Sequence, residues 1–270
     1  MNLMKNCVLF AAGIADSDKV YIIDELITAV KINLLSADYF VGINADSYPG
    51  TSESIHKYIS PVAYGTVPAS LNLRSDASAF QLALRLLKES GRRYDLYWFI
   101  HTKGGFHGRN DRRKLYIDRF IGKADEIADM FLEFPGLGSY GLHGVTSGSS
   151  GRSWNNYNTD HVTDICGNIP HDRFRHAHVN WSYIETFYAL RGEAINHFLE
   201  ITPDSFYDSR IGDICYFETV IPWIPSRMGL FPYVETRKCF RKKGNLNQMT
   251  RQWIRENNLG CPEFDRLLTL

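Results

Sequence analysis

The run YDLYWFIHTKGGFHGR, Tyr94 to Arg109, sets an imidazole, a hydroxyl and an ammonium side by side at the end of an apolar stretch. His101, Thr102 and Lys103 supply a titratable ring, a hydrogen-bonding group and a positive charge. Gly104, Gly105 and Gly108 follow and let backbone N–H groups approach a ligand closely. Those types in that order suit contact with phosphate oxygens. Two plain readings stand beside this one: a solvated loop lysine at 103 and a hydrogen-bonded core histidine at 101.

A strand must hold these groups. Tyr97, Trp98, Phe99 and Ile100 form a continuous aromatic and β-branched run, the pattern of a strand buried on both faces. His101 to Lys103 therefore fall at its carboxyl end, where ligands bind in open α/β sheets because the loops carry functional groups on a rigid base.

The rest of the chain alternates in the same sense. Cys7 to Ala12 reads as a first strand, Val20 to Leu35 as a helix, Tyr39 to Ile43 as a second strand ending at Asn44-Ala45-Asp46, and Ser52 to Ile59 as a short helix. Ser78 to Glu89 carries Phe80, Leu82, Leu84, Leu86 and Leu87 and stops at Gly91. Leu115 to Phe134 reads as one helix, Gly138 to Val145 as a glycine-rich strand, Tyr183 to Leu190 as a strand, and Gly192 to Glu200 and Ile211 to Ile221 as helices. The polar segment from Thr146 to His176 reads as a functional loop or as plain disorder. A basic cluster from Arg237 to Lys243 precedes a terminal helix near Asn247 to Asn257. Strand and helix in alternation predict an α/β fold with a mostly parallel central sheet flanked by helices.

Composition narrows the function. Of 270 residues, 44% are hydrophobic and 22% charged, with 30 basic against 30 acidic, which argues against a general nucleic-acid binder. Five scattered cysteines with no CxxC pair read as reduced thiols. The opening MNLMKNCVLFAAG is too short to cross a bilayer and reads as a strand. The expected location is the cytoplasm, with peripheral contact at the inner face of a membrane if the acceptor is lipid-linked. No GxxxxGK[ST], HExxH or GxSxG motif occurs, which sets aside P-loop, metalloprotease and serine-hydrolase chemistry.

Three blocks together resemble the rhamnan-synthesis-type polysaccharide glycosyltransferases, whose strand ends in His-Thr-Lys. LNLRSDASAF supplies Asn72, Asp76 and Phe80 of an Asn-x-Gly-Arg-Asp-x-x-x-Phe stretch, with Arg74-Ser75 in place of Gly-Arg; YDLYWFIHTKGG supplies Tyr94, Asp95, His101, Thr102 and Lys103. ETFYALRGEAINHFL places Phe187, Tyr188 and Arg191, and DICYFETVIPWIPSRMGL places Glu218 on a helix. The resemblance implies a Rossmann-like, A-type (GT-A) glycosyltransferase fold in a single domain. Its nucleotide-sugar-binding half would be 1–110, its acceptor and catalytic half 111–232, and its basic helical extension 233–270. It also implies transfer of a hexosyl or deoxyhexosyl unit from a nucleotide sugar to a glycan or lipid-linked acceptor in surface-polysaccharide or cell-wall biosynthesis.

Such transfer needs a group for the departing diphosphate, a base for the acceptor hydroxyl and contacts for the sugar. Many A-type enzymes meet the first need with carboxylates on a divalent metal; here the strand end is His-Thr-Lys, of opposite charge. The expectation is therefore no obligatory cofactor and no metal ligands, with a weak Mn or Mg dependence left open; Asp16 and Asp18 are the alternative, a displaced Asp-x-Asp motif, but they follow the first strand rather than the central one. Expected donor contacts are Ala12, Gly13, Asn72, Arg74, Asp76, His101, Thr102, Lys103, Gly104, His143 and Trp181, with a helix cap as the other reading of Asp76. Glu218, then Asp213, then Glu185 are the general-base candidates, and Lys103 the catalytic cation. Arg109, Arg112 and Arg113 either add positive field or begin a solvated helix. A nucleotidyltransferase on a similar sheet and a non-catalytic carbohydrate-binding or assembly protein are the alternatives; convergence of His101, Lys103, Asp76 and Glu218 on one pocket favours the enzyme.

Overall fold

A computed structural model describes residues 4–71, 76–102, 105, 110–142, 144–146, 181–183, 186–208, 217, 221–222, 224–226, 228–235 and 266, with backbone alone at 110, 144–146 and 181–182. The chain opens with β1 (Asn6–Ala12), α1 (Val20–Asn33), β2 (Asp38–Ile43), α2 (Thr51–Tyr58), β3 (Ala63–Thr66), α3 (Asp76–Ser90) and β4 (Leu96–His101). After it come α4 (Asn110–Arg119), α5 (Ala124–Glu133), β5 (Leu137–Gly141), β6 (Gly144–Thr146), β7 (Trp181–Tyr183), β8 (Tyr188–Arg191), α6 (Gly192–Ile201) and β9 (Phe231–Val234).

Seven strands form one sheet in the order β3-β2-β1-β4-β8-β5-β9, and β6 and β7 form a separate pair. The pairs β1–β2, β2–β3, β1–β4 and β5–β9 are parallel, while β8 is antiparallel to both β4 and β5. The fold is α/β around a mixed sheet.

Period-two alternation divides the core between the two faces. On β1, Cys7, Leu9 and Ala11 join the cluster under α3 and α6; Val8, Phe10 and Ala12 join the one under α1, α2, α4 and α5. β4 is buried at every position because it is covered on both sides: Tyr97 and Phe99 face α3, and Trp98 and Ile100 face the other layer. Helix α1 buries Ile22, Ile23, Leu26, Ile27 and Val30, the three-and-four spacing of one apolar stripe. Close approach fixes two glycines. A Cβ at Gly42 would lie 1.9 Å from the Ala79 carbonyl oxygen of α3, and one at Gly192 would lie 2.0 Å from the Tyr94 carbonyl oxygen. Glycine alone lets these backbones meet.

Three expected elements are divided. The helix read over 115–134 breaks at a 3₁₀ turn, Ile121–Lys123. Adjacent Phe120 and Ile121 are both fully buried, and Gly122 propagates a helix poorly, so the chain bends to sink both side chains. The strand read over 138–145 ends at Gly141, and the one read over 183–190 splits into β7 and β8. The register explains both. Gly141 pairs with Tyr188 and Gly144 with Tyr183, so the pairs are three positions apart on one strand and five on the other. Unequal spacing breaks the ladder, and β6 and β7 form a pair of their own. Tyr183 anchors that pair: its ring occupies the space beside Gly141, and its hydroxyl donates to the Tyr233 carbonyl at 2.9 Å.

The expected helix at 211–221 lies outside the described residues apart from 217 and 221, as do the terminal helix and the segment 147–176. Among the described residues no helix is long and apolar enough to cross a membrane.

Candidate functional site

The chain winds from β1 through α1 and α2 to β3 on one side of the sheet, then crosses by α3 to β4 on the other side of β1. The strand order therefore reverses between β1 and β4, and open α/β sheets bind ligands outside the carboxyl ends of the strands at such a switch point. Ala12 ends β1 and His101 ends β4, and Ala11 pairs directly with His101.

Thr102 locks the two strand ends together. Its hydroxyl accepts from the Gly13 N–H at 2.8 Å and donates to the Gly13 carbonyl at 2.6 Å. The Gly105 N–H donates to the Thr102 carbonyl at 3.1 Å, and the Ala15 N–H to the Gly105 carbonyl at 3.2 Å. A Cβ at Gly105 would stand 2.1 Å from the Gly13 carbonyl oxygen. The turn after β4 is thus pressed onto the end of β1, and Thr102 holds it there. The loop after β2 is stitched to the same end: Tyr48 N–H donates to the Ile14 carbonyl at 2.8 Å, and Ile14 N–H to the Ser47 hydroxyl at 3.1 Å.

His101 is paired with a carboxylate. Its Nδ1 lies 2.5 Å from Oδ2 of Asp76, with side chains 5% and 18% exposed respectively. Asp76 is in the first turn of α3, where negative charge also favours the helix. The ring is walled by Phe187 and Phe80, at centroid distances of 5.0 and 6.4 Å. Phe187 in turn stacks on Tyr116 at 4.2 Å. The contact is one of close approach between a carboxylate and a ring nitrogen and does not have the alignment of a hydrogen bond. The Asp76 carboxylate is thus directed to His101, beyond either role expected of it.

Two residues not anticipated from the sequence stand at the same edge. Asn44 follows β2, is 1% exposed, and neither polar atom of its side chain has a hydrogen-bond partner. By alternation after Gly42 it shares the α3 face with His101 and Gly13. Its place at the carboxyl end of a strand was a usable signal. Thr186, fully buried, has φ of 49° and an unpartnered Oγ1. Nothing in the sequence announces that conformation.

Asp76, His101, Thr102, Ala12 and Gly13 come together around the ends of β1 and β4. Lys103, Gly104, Asn72, Arg74, His143, Glu218, Asp213, Glu185 and Arg109 lie outside the described residues, and Trp181 has a backbone position in β7 only. Other basic residues hold the fold. Arg113 is 1% exposed, donates to Glu25 at 2.8 Å and lies over the Tyr21 ring, so the solvated-helix reading fails for it. Arg191 donates to the carbonyls of Leu137, Phe131 and Phe134 at 2.7, 2.7 and 2.9 Å, closing the end of α5. Asp16 is exposed and pairs with Lys19 at 3.6 Å, and Asp18 is exposed. Among the described residues no group of three or more His, Cys, Asp or Glu converges as a metal ligand set.

Buried hydroxyls and a thiol surround the core. Burial lifts the Tyr183 and Tyr140 hydroxyls well above the ordinary tyrosine range, with Glu235 adding to the effect at Tyr140. Burial likewise raises the Cys7 thiol, the free cysteine among the described residues.

Comparison with known proteins yields no relative: no family model matches the chain, and no curated protein or solved structure is significantly similar to it. The likeness to the His-Thr-Lys polysaccharide glycosyltransferases rests on the three sequence blocks alone.

Proposed function

We propose that this chain is a glycosyltransferase that moves a hexosyl or deoxyhexosyl unit from a nucleotide sugar to a glycan or lipid-linked acceptor in surface-polysaccharide synthesis. The observation that carries the reading is the buried Asp76–His101 pair at the carboxyl end of β4, beside Gly13 at the switch point between β1 and β4.

In this reading the donor diphosphate lies over the turn that follows His101. The C1–O bond to the diphosphate breaks with its electron pair going to the leaving oxygen, and Lys103 and backbone N–H groups of the glycine turn meet the charge that develops. The acceptor hydroxyl attacks C1 and gives its proton to a carboxylate, Glu218 first among the candidates. Asp76 lies against the His101 ring, and Thr102 keeps the turn in place on the end of β1. The work is cytoplasmic, from the membrane surface when the acceptor is lipid-linked.

One observation favours the second reading, a non-catalytic carbohydrate-binding or assembly protein: His101 is nearly buried, with Nδ1 close against the Asp76 carboxylate inside the protein. Release of free nucleotide from a panel of sugar nucleotides separates the two. Turnover by the wild type that survives a chelator and is lost in Lys103→Ala supports direct neutralisation of the diphosphate. Turnover abolished by the chelator transfers that role to a metal. A protein that neither hydrolyses nor binds any donor moves the non-catalytic reading ahead.

A further inference from the structure

We propose that Arg113 is a positioning residue: through Glu25 and Tyr21 it fixes the first half of α4 on α1, and so sets where the segment that carries Lys103 rejoins the fold. The effect on turnover rests on the glycosyltransferase reading above. The side chain itself is the first observation. Arg113 carries a permanent charge, yet it is 1% exposed and stands with Trp98 and Tyr97 among the largest fully buried side chains. Taking a charged pair out of water roughly cancels its attraction, and an apolar side chain of like volume often serves stability as well. What the pair adds is direction. Nε donates to Oε2 of Glu25 at 2.8 Å, and the guanidinium carbon lies 5.3 Å from the centre of the Tyr21 ring. Tyr21 and Glu25 are one turn apart on α1, so they meet the planar guanidinium at two points and hold it in one orientation.

The second observation is where this anchor falls. Tyr116 and, one residue past the helix, Phe120 are fully buried and tie the far half of α4 to the core. Ahead of them Asp111 and Lys114 are exposed and Arg112 and Leu115 are half-buried, so among the described side chains Arg113 alone is fully buried in the first half. That half is held by an ion pair where the other is held by apolar packing. On the near side, the Gly105 N–H donates to the Thr102 carbonyl at 3.1 Å, and the Gly105 carbonyl accepts from the Ala15 N–H at 3.2 Å. Four residues, 106–109, join Gly105 to α4. Both anchors therefore refer to one βα unit: Gly105 is tied to the loop that leaves β1, and Arg113 to the helix that follows it. A shift of the first half of α4 is passed back along a short span to the turn after His101. Misplacing a reacting group by about an ångström can slow a reaction about a hundredfold.

The test measures hydrogen exchange of the α4 amides, and kcat with the sugar nucleotide turned over best, in full-length wild type, Arg113→Met, Arg113→Lys, Glu25→Gln and the double variant Arg113→Met/Glu25→Gln. Arg191→Met is the control for general loosening, since Arg191 pairs with Leu96 at the start of β4, the opposite edge of the sheet. Methionine fills similar space, and Glu25 is 33% exposed and stays hydrated without its partner, so Arg113→Met should unfold near the wild-type urea midpoint. It should speed α4 exchange about tenfold and lower kcat about 10- to 100-fold where the protein is fully folded. Arg113→Lys, which keeps the charge without the planar fork, should recover part of kcat. The double variant should be no slower than Arg113→Met, because both break one pair. Arg191→Met should leave α4 exchange and kcat within about twofold of wild type. Unchanged α4 exchange in folded Arg113→Met overturns the proposal, as does a kcat that is unchanged or that falls equally in Arg191→Met. If Arg113→Met fails to fold, Glu25→Gln against wild type makes the same comparison. A wild type that turns over no sugar nucleotide removes the glycosyltransferase reading, and α4 exchange alone then decides whether Arg113 anchors the helix.

Discussion

Replacing Gly105 by alanine tests whether the turn after β4 is pressed onto β1 as tightly as the geometry requires. The added methyl would stand 2.1 Å from the Gly13 carbonyl oxygen and 3.2 Å from the Thr102 carbonyl oxygen. A carbon normally keeps about 3.3 Å or more from a carbonyl oxygen, so the turn must retreat by about an ångström. Both partners are backbone, so no side chain can swing aside. Retreat strains the Gly105 N–H bond to Thr102 and the Ala15 N–H bond to Gly105, at 3.1 and 3.2 Å, each worth about 0.5–1.5 kcal/mol. With an overpacking cost of about 1–3 kcal/mol, the expected loss is about 2–4 kcal/mol. That should lower the urea midpoint with little change in slope, and lower Tm by several degrees. Gly91→Ala is the control: its φ of 66° penalises a side chain, but no atom lies within 4 Å of the new Cβ, so about 1 kcal/mol is expected. A Gly105→Ala protein as stable as the wild type would refute the close packing of the turn on the end of β1.

Three further outcomes follow from the same physics. Arg191→Met removes three donated hydrogen bonds from the end of α5 and the start of β5, and should cost about 2–4 kcal/mol in equilibrium unfolding; a change under about 1 kcal/mol would reduce the clamp to a surface contact. Asn44→Leu replaces an amide with no partner by an apolar group of similar size, so stability should hold or rise by about 1 kcal/mol, measured by urea midpoint, while a loss above about 2 kcal/mol would mean the amide is satisfied in solution. Tyr94, Tyr97, Tyr140 and Tyr183 have hydroxyls raised from 10.0, first by burial, so the neutral form is the one the fold favours. Their stabilisation is fully present below pH ~10 and is lost as pH rises toward the higher folded values, so ultraviolet titration should show a tyrosine group that ionises only with alkaline unfolding.

Much of the parallel half was legible because its signals are local. β1, β2 and β4 are short apolar runs ended by polar or glycine residues, and α3 carries Phe80, Leu84 and Leu87, all fully buried, at helical spacing. β3 was not legible: AYGT is an edge strand with alternate half-burial, too short and too mixed to stand out. The divisions of the 138–145 and 183–190 strands were hidden for another reason. They depend on how many residues face each other across a ladder, which no single segment contains. The same distinction separates the site residues. His101 and Thr102 could be placed at a strand end from the run before them. The pairing of His101 with Asp76, the use of the Thr102 hydroxyl on Gly13, and the burial of Asn44 and Thr186 without partners are all products of tertiary packing. Arg113 and Arg191 show the converse, since basic residues that suggested a positive field or a motif turn inward to hold helices.

The central claim is that a sugar nucleotide binds at the ends of β1 and β4. Hydrogen–deuterium exchange of the full chain, with and without a saturating donor from the panel, tests it most directly. The account predicts slowed exchange concentrated in peptides spanning the ends of β1, β2 and β4 and the start of β8, with the amino-terminal edge of the sheet unchanged. Protection confined to other segments, or none at a donor concentration that saturates binding, would contradict it.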